Sequence, residues 1–234
     1  MSQTGGSTQT ESRKPRMQIA IGLFPGFTAL DAIGPYQVFT QLPDAEVVLC
    51  AAKTGELADD NGLLRLNIAH TFEEVDTPDI VVVPGGFITR RLARDGDPIV
   101  DWVRAAHPGT TSTTSVCTGA LLLGAAGLLD GLEATTHWCA YDELATYGAT
   151  PTEERVVHRG KIWTAAGVSS GIDFALTLVA ETHGADVARA IQLAIEYDPQ
   201  PSFDAGAPSK APADILELVR SRSAAREAEV LGGA

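Results

Sequence analysis

Two segments constrain the fold more than any others. "DIVVVPGG" (79–86) is a β-branched run closed by Pro-Gly-Gly, and "GTTSTTSVC" (109–117) is a second such run that ends on a cysteine. Apolar runs without polar alternation fit strands buried on both faces. "MQIAIGLF" (17–24) and "AEVVLCAA" (45–52) read the same way. Helical patterns lie between them, at 30–42, in two short pieces over 88–106, and from Thr118 to about Leu128. This alternation predicts an α/β fold with a mostly parallel central sheet covered on both faces. In such sheets the functional crevice lies beyond the carboxyl ends of the strands. The loop after 17–24, Gly85-Gly86 and Cys117 should all fall at that edge.

The rest of the chain is less constrained. "LLRLNIAH" (63–70) looks like an extended strand, and a helix is expected near 139–147. "TEERVVHRGKIWTAAG" (152–167) predicts a hairpin around Arg159-Gly160. Residues 170–184 and 185–197 read as amphipathic helices, and 198–212 as a loop rich in Pro, Gly and Asp. The tail 213–234 is expected to be helical, with Ile215, Leu216 and Val219 as its apolar positions.

Charge and composition exclude several functions. The chain of 234 residues carries 17 basic and 30 acidic groups, a net charge of −13. So acidic a surface argues against nucleic acid or an anionic membrane as a partner. No apolar window is long enough to span a bilayer. Residues 1–16, "MSQTGGSTQTESRKPR", have no apolar core and read as a disordered leader rather than a secretory signal. Cys50, Cys117 and Cys139 are three in number, without framework spacing, which suits free thiols in a reducing cytoplasm. His70, His107, His158 and His183 do not cluster, so no metal site is expected.

Cys117 stands where a strand ends and a helix of small residues begins, with Ser115 and Gly119 as small flanks. That arrangement is a nucleophile elbow, a sharp bend that presents one side chain to the crevice. The dipole of the helix starting at Thr118 is expected to favour the thiolate. A buried, inert cysteine is the competing reading. Gly85 and Gly86, with the Thr118 amide, are expected to form a donor pocket for developing negative charge, or else a simple tight turn. Asp31, just past the first strand, reads as an N-cap or as a proton donor with a raised pKa. His137 lies 20 residues beyond the cysteine, and no spacing argument brings it to the sulfur, which favours a packing role. Ser169 and Ser170 precede an apolar helical run, and capping it is the plain explanation, although their loop borders the expected crevice.

"IAIGLFPGFTALDAIGPYQVF", "DIVVVPGG", "TTSVCTGALLLGAAGLLDG", "TTHW", "GVSSGIDFAL" and "IQLAIEYDPQPSFDAG" together resemble the DJ-1/PfpI superfamily, and within it the isonitrile hydratases. The resemblance runs over residues 17–212, so the leader and the tail fall outside it, and no helix-turn-helix module follows. It implies a flavodoxin-like three-layer sandwich and a homodimer. It implies a nucleophile at Cys117, an acidic partner at Asp31 and an adjoining functional residue at Thr118. Gly85, Gly86, Gly119, His137 and Ser169 are then candidates for binding the substrate or its developing charge. Peptidase relatives carry His directly after the cysteine; Thr118 stands there, against proteolysis. The activity implied is a hydro-lyase that converts an isonitrile to the N-substituted formamide without metal or organic cofactor. Alternatives compatible with the same thiol and carboxylate are a glyoxalase-like enzyme for 2-oxoaldehydes, a redox sensor in which Cys117 is oxidised, or a ligand sensor.

Overall fold

A computed structural model describes residues 17–232; the expected leader, 1–16, lies outside the described residues. The strands are β1 (Met17–Leu23), β2 (Ala45–Ala51), β3 (Gly55–Ala58), β4 (Arg65–Ile68), β5 (His70–Thr71) and β6 (Ile80–Val83). They continue with β7 (Ser112–Val116), β8 (Glu133–Ala134), β9 (Thr150–Pro151), β10 (Val156–Arg159) and β11 (Ile162–Ala165). The helices are α1 (Ala29–Phe39), α2 (Thr89–Asp95), α3 (Pro98–Ala106) and α4 (Gly119–Ala125). They are followed by α5 (Tyr141–Ala145), α6 (Ser170–His183), α7 (Ala185–Ala194) and α8 (Ala213–Gly232).

Seven strands form one sheet in the order β10-β11-β7-β6-β1-β2-β5. Every neighbouring pair is parallel except the β10–β11 hairpin. The four residues of β6 are all buried, and so are the five of β7. These are the two runs that fixed the fold class in sequence. Helices flank the sheet: α1 packs on α6 and α6 on α7, while α4 packs on α2 and α3. Gly171 of α6 leaves room for the ring of Pro35, which sits in the second turn of α1. Pro35 has no N–H for the Asp31 carbonyl, and the buried ring is held by packing instead.

Two local expectations are corrected. The extended segment 63–70 is not one strand. Leu63 is exposed, β4 pairs antiparallel with β3 in a small hairpin, and His70–Thr71 joins the edge of the main sheet. Residues 139–147 contain only the short helix α5 after a 3-10 turn at Trp138–Ala140. The sheet places the ends of β1, β6, β7 and β11 side by side, so the segments that follow them meet at one edge.

Candidate active site

The bend at Cys117 is a strained one. Its φ is +57°, in the left-handed region that non-glycine residues rarely adopt. Surrounding contacts hold it there. The Cys117 N–H donates to the carbonyls of Ala165 (3.0 Å) and Ala166 (2.8 Å) at the end of β11. Its carbonyl accepts from the Thr136 hydroxyl at 2.8 Å. A Cβ on Gly119 would run into the Val83 carbonyl oxygen, so only glycine lets α4 start this close to β6. Backbone strain of this kind persists only where its surroundings over-determine it, and it collects at functional sites.

Asp31 is fully buried in the first turn of α1, and Thr28, not Asp31, is the N-cap. Its Oδ2 accepts from the Gly85 N–H at 2.9 Å. Its Oδ1 has no hydrogen-bond partner of good geometry, and the Cys117 thiol is the group that reaches toward the carboxyl. Burial pushes the Asp31 pKa up to about 7, against the lowering effects of the Gly85 N–H and the Cys117 thiol; the Asp60 charge adds a smaller rise.

Cys117 is also pushed well up, first by burial and then by the Asp31 charge. The amides of Thr118 and Val168 face the sulfur and act in the opposite direction. The Thr118 amide acts in favour of the thiolate, but burial and the Asp31 charge outweigh it. Two acids share a site of low polarity, and the desolvation of the sulfur outweighs the short helix α4 and the two amides. The pair carries at most one negative charge near neutral pH.

The expected donor pocket takes a different form. The Gly85 N–H is taken by Asp31, and the Gly86 N–H donates to Thr118 Oγ1 at 3.0 Å. Thr118 Oγ1 in turn donates to the Gly86 carbonyl at 3.1 Å. The Gly85-Gly86 strap is thus tied to the elbow, and a Cβ on Gly85 would lie 2.8 Å from Asp31 Oδ2. The amides turned toward the sulfur belong to Thr118 and Val168 instead.

A cavity of about 150 Å³ opens over Cys117 and Thr118, with Thr28, Gly86, Phe87 and Val168 in its wall. Asp31 lies behind the thiol, outside the wall. His137 does line the cavity, but no hydrogen bond links it to the sulfur among the described residues. Its Nδ1 accepts from the Cys139 N–H at 3.3 Å, and burial followed by the Arg90 charge lowers its pKa, so the ring is neutral. Ser169 faces a neighbouring cleft. It makes no side-chain cap to α6, and its Oγ accepts from Arg155 at 3.2 Å. Cys139, read from sequence as a free thiol, is in the cavity wall. So are Asp60, Arg90, Ser223 and Glu227, none of which sequence reasoning singled out.

A mostly parallel α/β sheet with an inner strand, β7, that runs into a strained cysteine backed by a buried carboxyl defines the class of protein. The family model for the DJ-1/PfpI family matches residues 17–181, and the chain belongs to that family. It is 43% identical to the isonitrile hydratase of Pseudomonas putida over 89% of this chain and 90% of that protein. It is 30% identical to the HTH-type transcriptional regulator CdhR of Pseudomonas aeruginosa over 71% of this chain, but only 51% of the regulator. Among solved structures, a ThiJ/PfpI family protein from Pseudomonas syringae superposes with a TM-score of 0.86 at 35% identity, covering 98% and 95% of the two chains. Oxidized DJ-1 of Toxoplasma gondii superposes at 0.68 with 23% identity, over 78% of this chain and 100% of that one, and shows the fold alone. No described helix is long and apolar enough to cross a membrane.

Proposed function

We propose that this protein hydrates small isonitriles, R–N≡C, to N-substituted formamides, with Cys117 as nucleophile and Asp31 as general acid and base. The observation that carries the reading is the buried thiol–carboxyl pair, pushed together under a small open cavity. The similarity to the isonitrile hydratase of Pseudomonas putida supports it.

An isonitrile carbon accepts both a nucleophile and a proton. A carboxyl group with a pKa of about 7 can keep a proton at neutral pH and deliver it. In the first step the Cys117 thiolate bonds to the carbon while Asp31, which holds the one proton shared by the pair, donates it there. The product is a thioimidate, R–N=CH–S–Cys117. The Asp31 carboxylate then takes a proton from water as the water oxygen bonds to that carbon and passes it to the nitrogen, and it takes up the hydroxyl proton as the tetrahedral adduct collapses. The C–S bond breaks, the sulfur leaves with its electron pair and R–NH–CHO is released. The amides of Thr118 and Val168 stabilise the sulfur when it is charged. Thr118 also holds the strap that positions Asp31.

Incubation of the purified protein with cyclohexyl isocyanide should yield N-cyclohexylformamide. Cys117→Ala and Asp31→Ala should each lose turnover by at least about 100-fold while staying folded. Absence of the formamide, or full turnover by folded Cys117→Ala, rejects the reading. The reading includes a homodimer working in a reducing cytoplasm. Light scattering at twice the 24.5 kDa of one chain supports the dimer, and a monomer mass removes it.

A further inference from the structure

The outer side of the Cys117 cavity is made by α8, through Ser223 and Glu227. This helix has no fully buried residue; Val230 packs against the core, and polar contacts add to its hold. Arg226 Nη2 donates to the Asp60 carbonyl at 2.9 Å and ties the helix across the cavity mouth. Glu227 meets the half-buried Arg90 at 3.0 Å.

Charge in the cavity wall is unbalanced. Asp60 and Glu227 line it against a single lining cation, Arg90. That cation is already taken: its Nε donates to Glu143 at 2.8 Å and meets Glu227 at the same atom. One guanidinium carries a single positive charge against these two carboxylates, so one negative charge is left unbalanced. His137 adds no positive charge, because burial and Arg90 hold its ring neutral. Arg226 pairs with Glu229, and Arg220 lies over the Trp138 ring at 5.8 Å; neither lines the cavity. A ligand bearing a carboxylate would enter a small space already rich in carboxylates, and like charges in juxtaposition reject a partner.

We propose that Glu227 is a specificity-determining residue, held over Cys117 by α8, that admits neutral or amine-bearing small molecules and rejects those carrying a carboxylate. For the identity of the substrate this rests on the hydratase reading; its test does not.

Iodoacetamide and iodoacetate are nearly equal in size and differ in charge. Each alkylates a thiol by forming an S–C bond as iodide leaves and the thiol proton passes to solvent. The rate constants at Cys117 are measured by peptide mass spectrometry at pH 7.5, with Cys139 mapped separately. The amide-to-acid ratio at Cys117 should exceed that of 2-mercaptoethanol by about tenfold or more, and Glu227→Gln should lower it by roughly tenfold. Glu217→Gln removes the same charge from an exposed position of α8 outside the cavity, and should leave the ratio at its wild-type value. A wild-type ratio equal to that of 2-mercaptoethanol, or a ratio unmoved by Glu227→Gln, overturns the proposal. A protein that shows the alkylation pattern but no isonitrile turnover keeps this inference and loses the hydratase reading.

Discussion

Asp31 supplies a proton at a cost in stability. Its pKa is about 7 in the fold and near 3.8 when exposed, so at pH 8 the buried carboxylate destabilises the folded state by roughly 4 kcal/mol. As the pH falls through 7 the folded protein takes up a proton before the unfolded chain does, and the cost vanishes by about pH 4. Asp31→Asn keeps an oxygen for the Gly85 N–H and removes the charge. Urea unfolding should show the variant more stable than wild type at pH 8, with a gain that shrinks toward pH 5; a gain independent of pH contradicts the burial argument. Ser115 gives a milder case. Its hydroxyl is buried without a partner, so removing it relieves an unmet polar group. Ser115→Ala should leave the unfolding free energy unchanged or raise it by up to about 1 kcal/mol, read from the same urea curves.

The elements that carry the site were legible in sequence where a local signal existed. The β-branched runs at 80–83 and 112–116 marked buried strands, and the small residues around Cys117 marked a bend. The φ of +57° and the contact of Gly119 with Val83 are the physical content of that signal. Gly119→Ala should therefore shift the bend. We expect a loss of about 2 kcal/mol or more by urea unfolding, together with slower alkylation of Cys117. Wild-type stability in this variant would show that the close approach is not required. Elements without such a signal were missed. The β3–β4 hairpin has half-exposed strands of four residues each, too short for a clear alternation. Val168 contributes an amide, and a backbone group leaves no mark in a side-chain pattern.

At the scale of the whole molecule, the site exists only because distant segments meet. Asp31 comes from α1, Gly85 follows β6, Cys117 follows β7 and Val168 follows β11. Adjacency of those strands was inferable, since parallel α/β sheets gather their loops at one edge. The outer wall was not. Arg90 and Glu227 are single charges on surface helices, and nothing near them in sequence says which cavity they face. The tail that carries Glu227 has no fully buried residue, and its Ile215 and Val219 remain partly exposed. The meeting of these segments makes one claim above all: Cys117 and Asp31 act as a single unit holding one proton between them. The reactive form is the tautomer with a thiolate and a protonated carboxyl, which has the same total charge as thiol and carboxylate. The most direct test is kcat/KM for cyclohexyl isocyanide as a function of pH. The shared-proton pair predicts activity that rises through about pH 7 and stays high until the second, much higher ionisation. Activity that is full below pH 6 and falls through pH 7 would mean that both groups must be protonated, and would contradict attack by the sulfur.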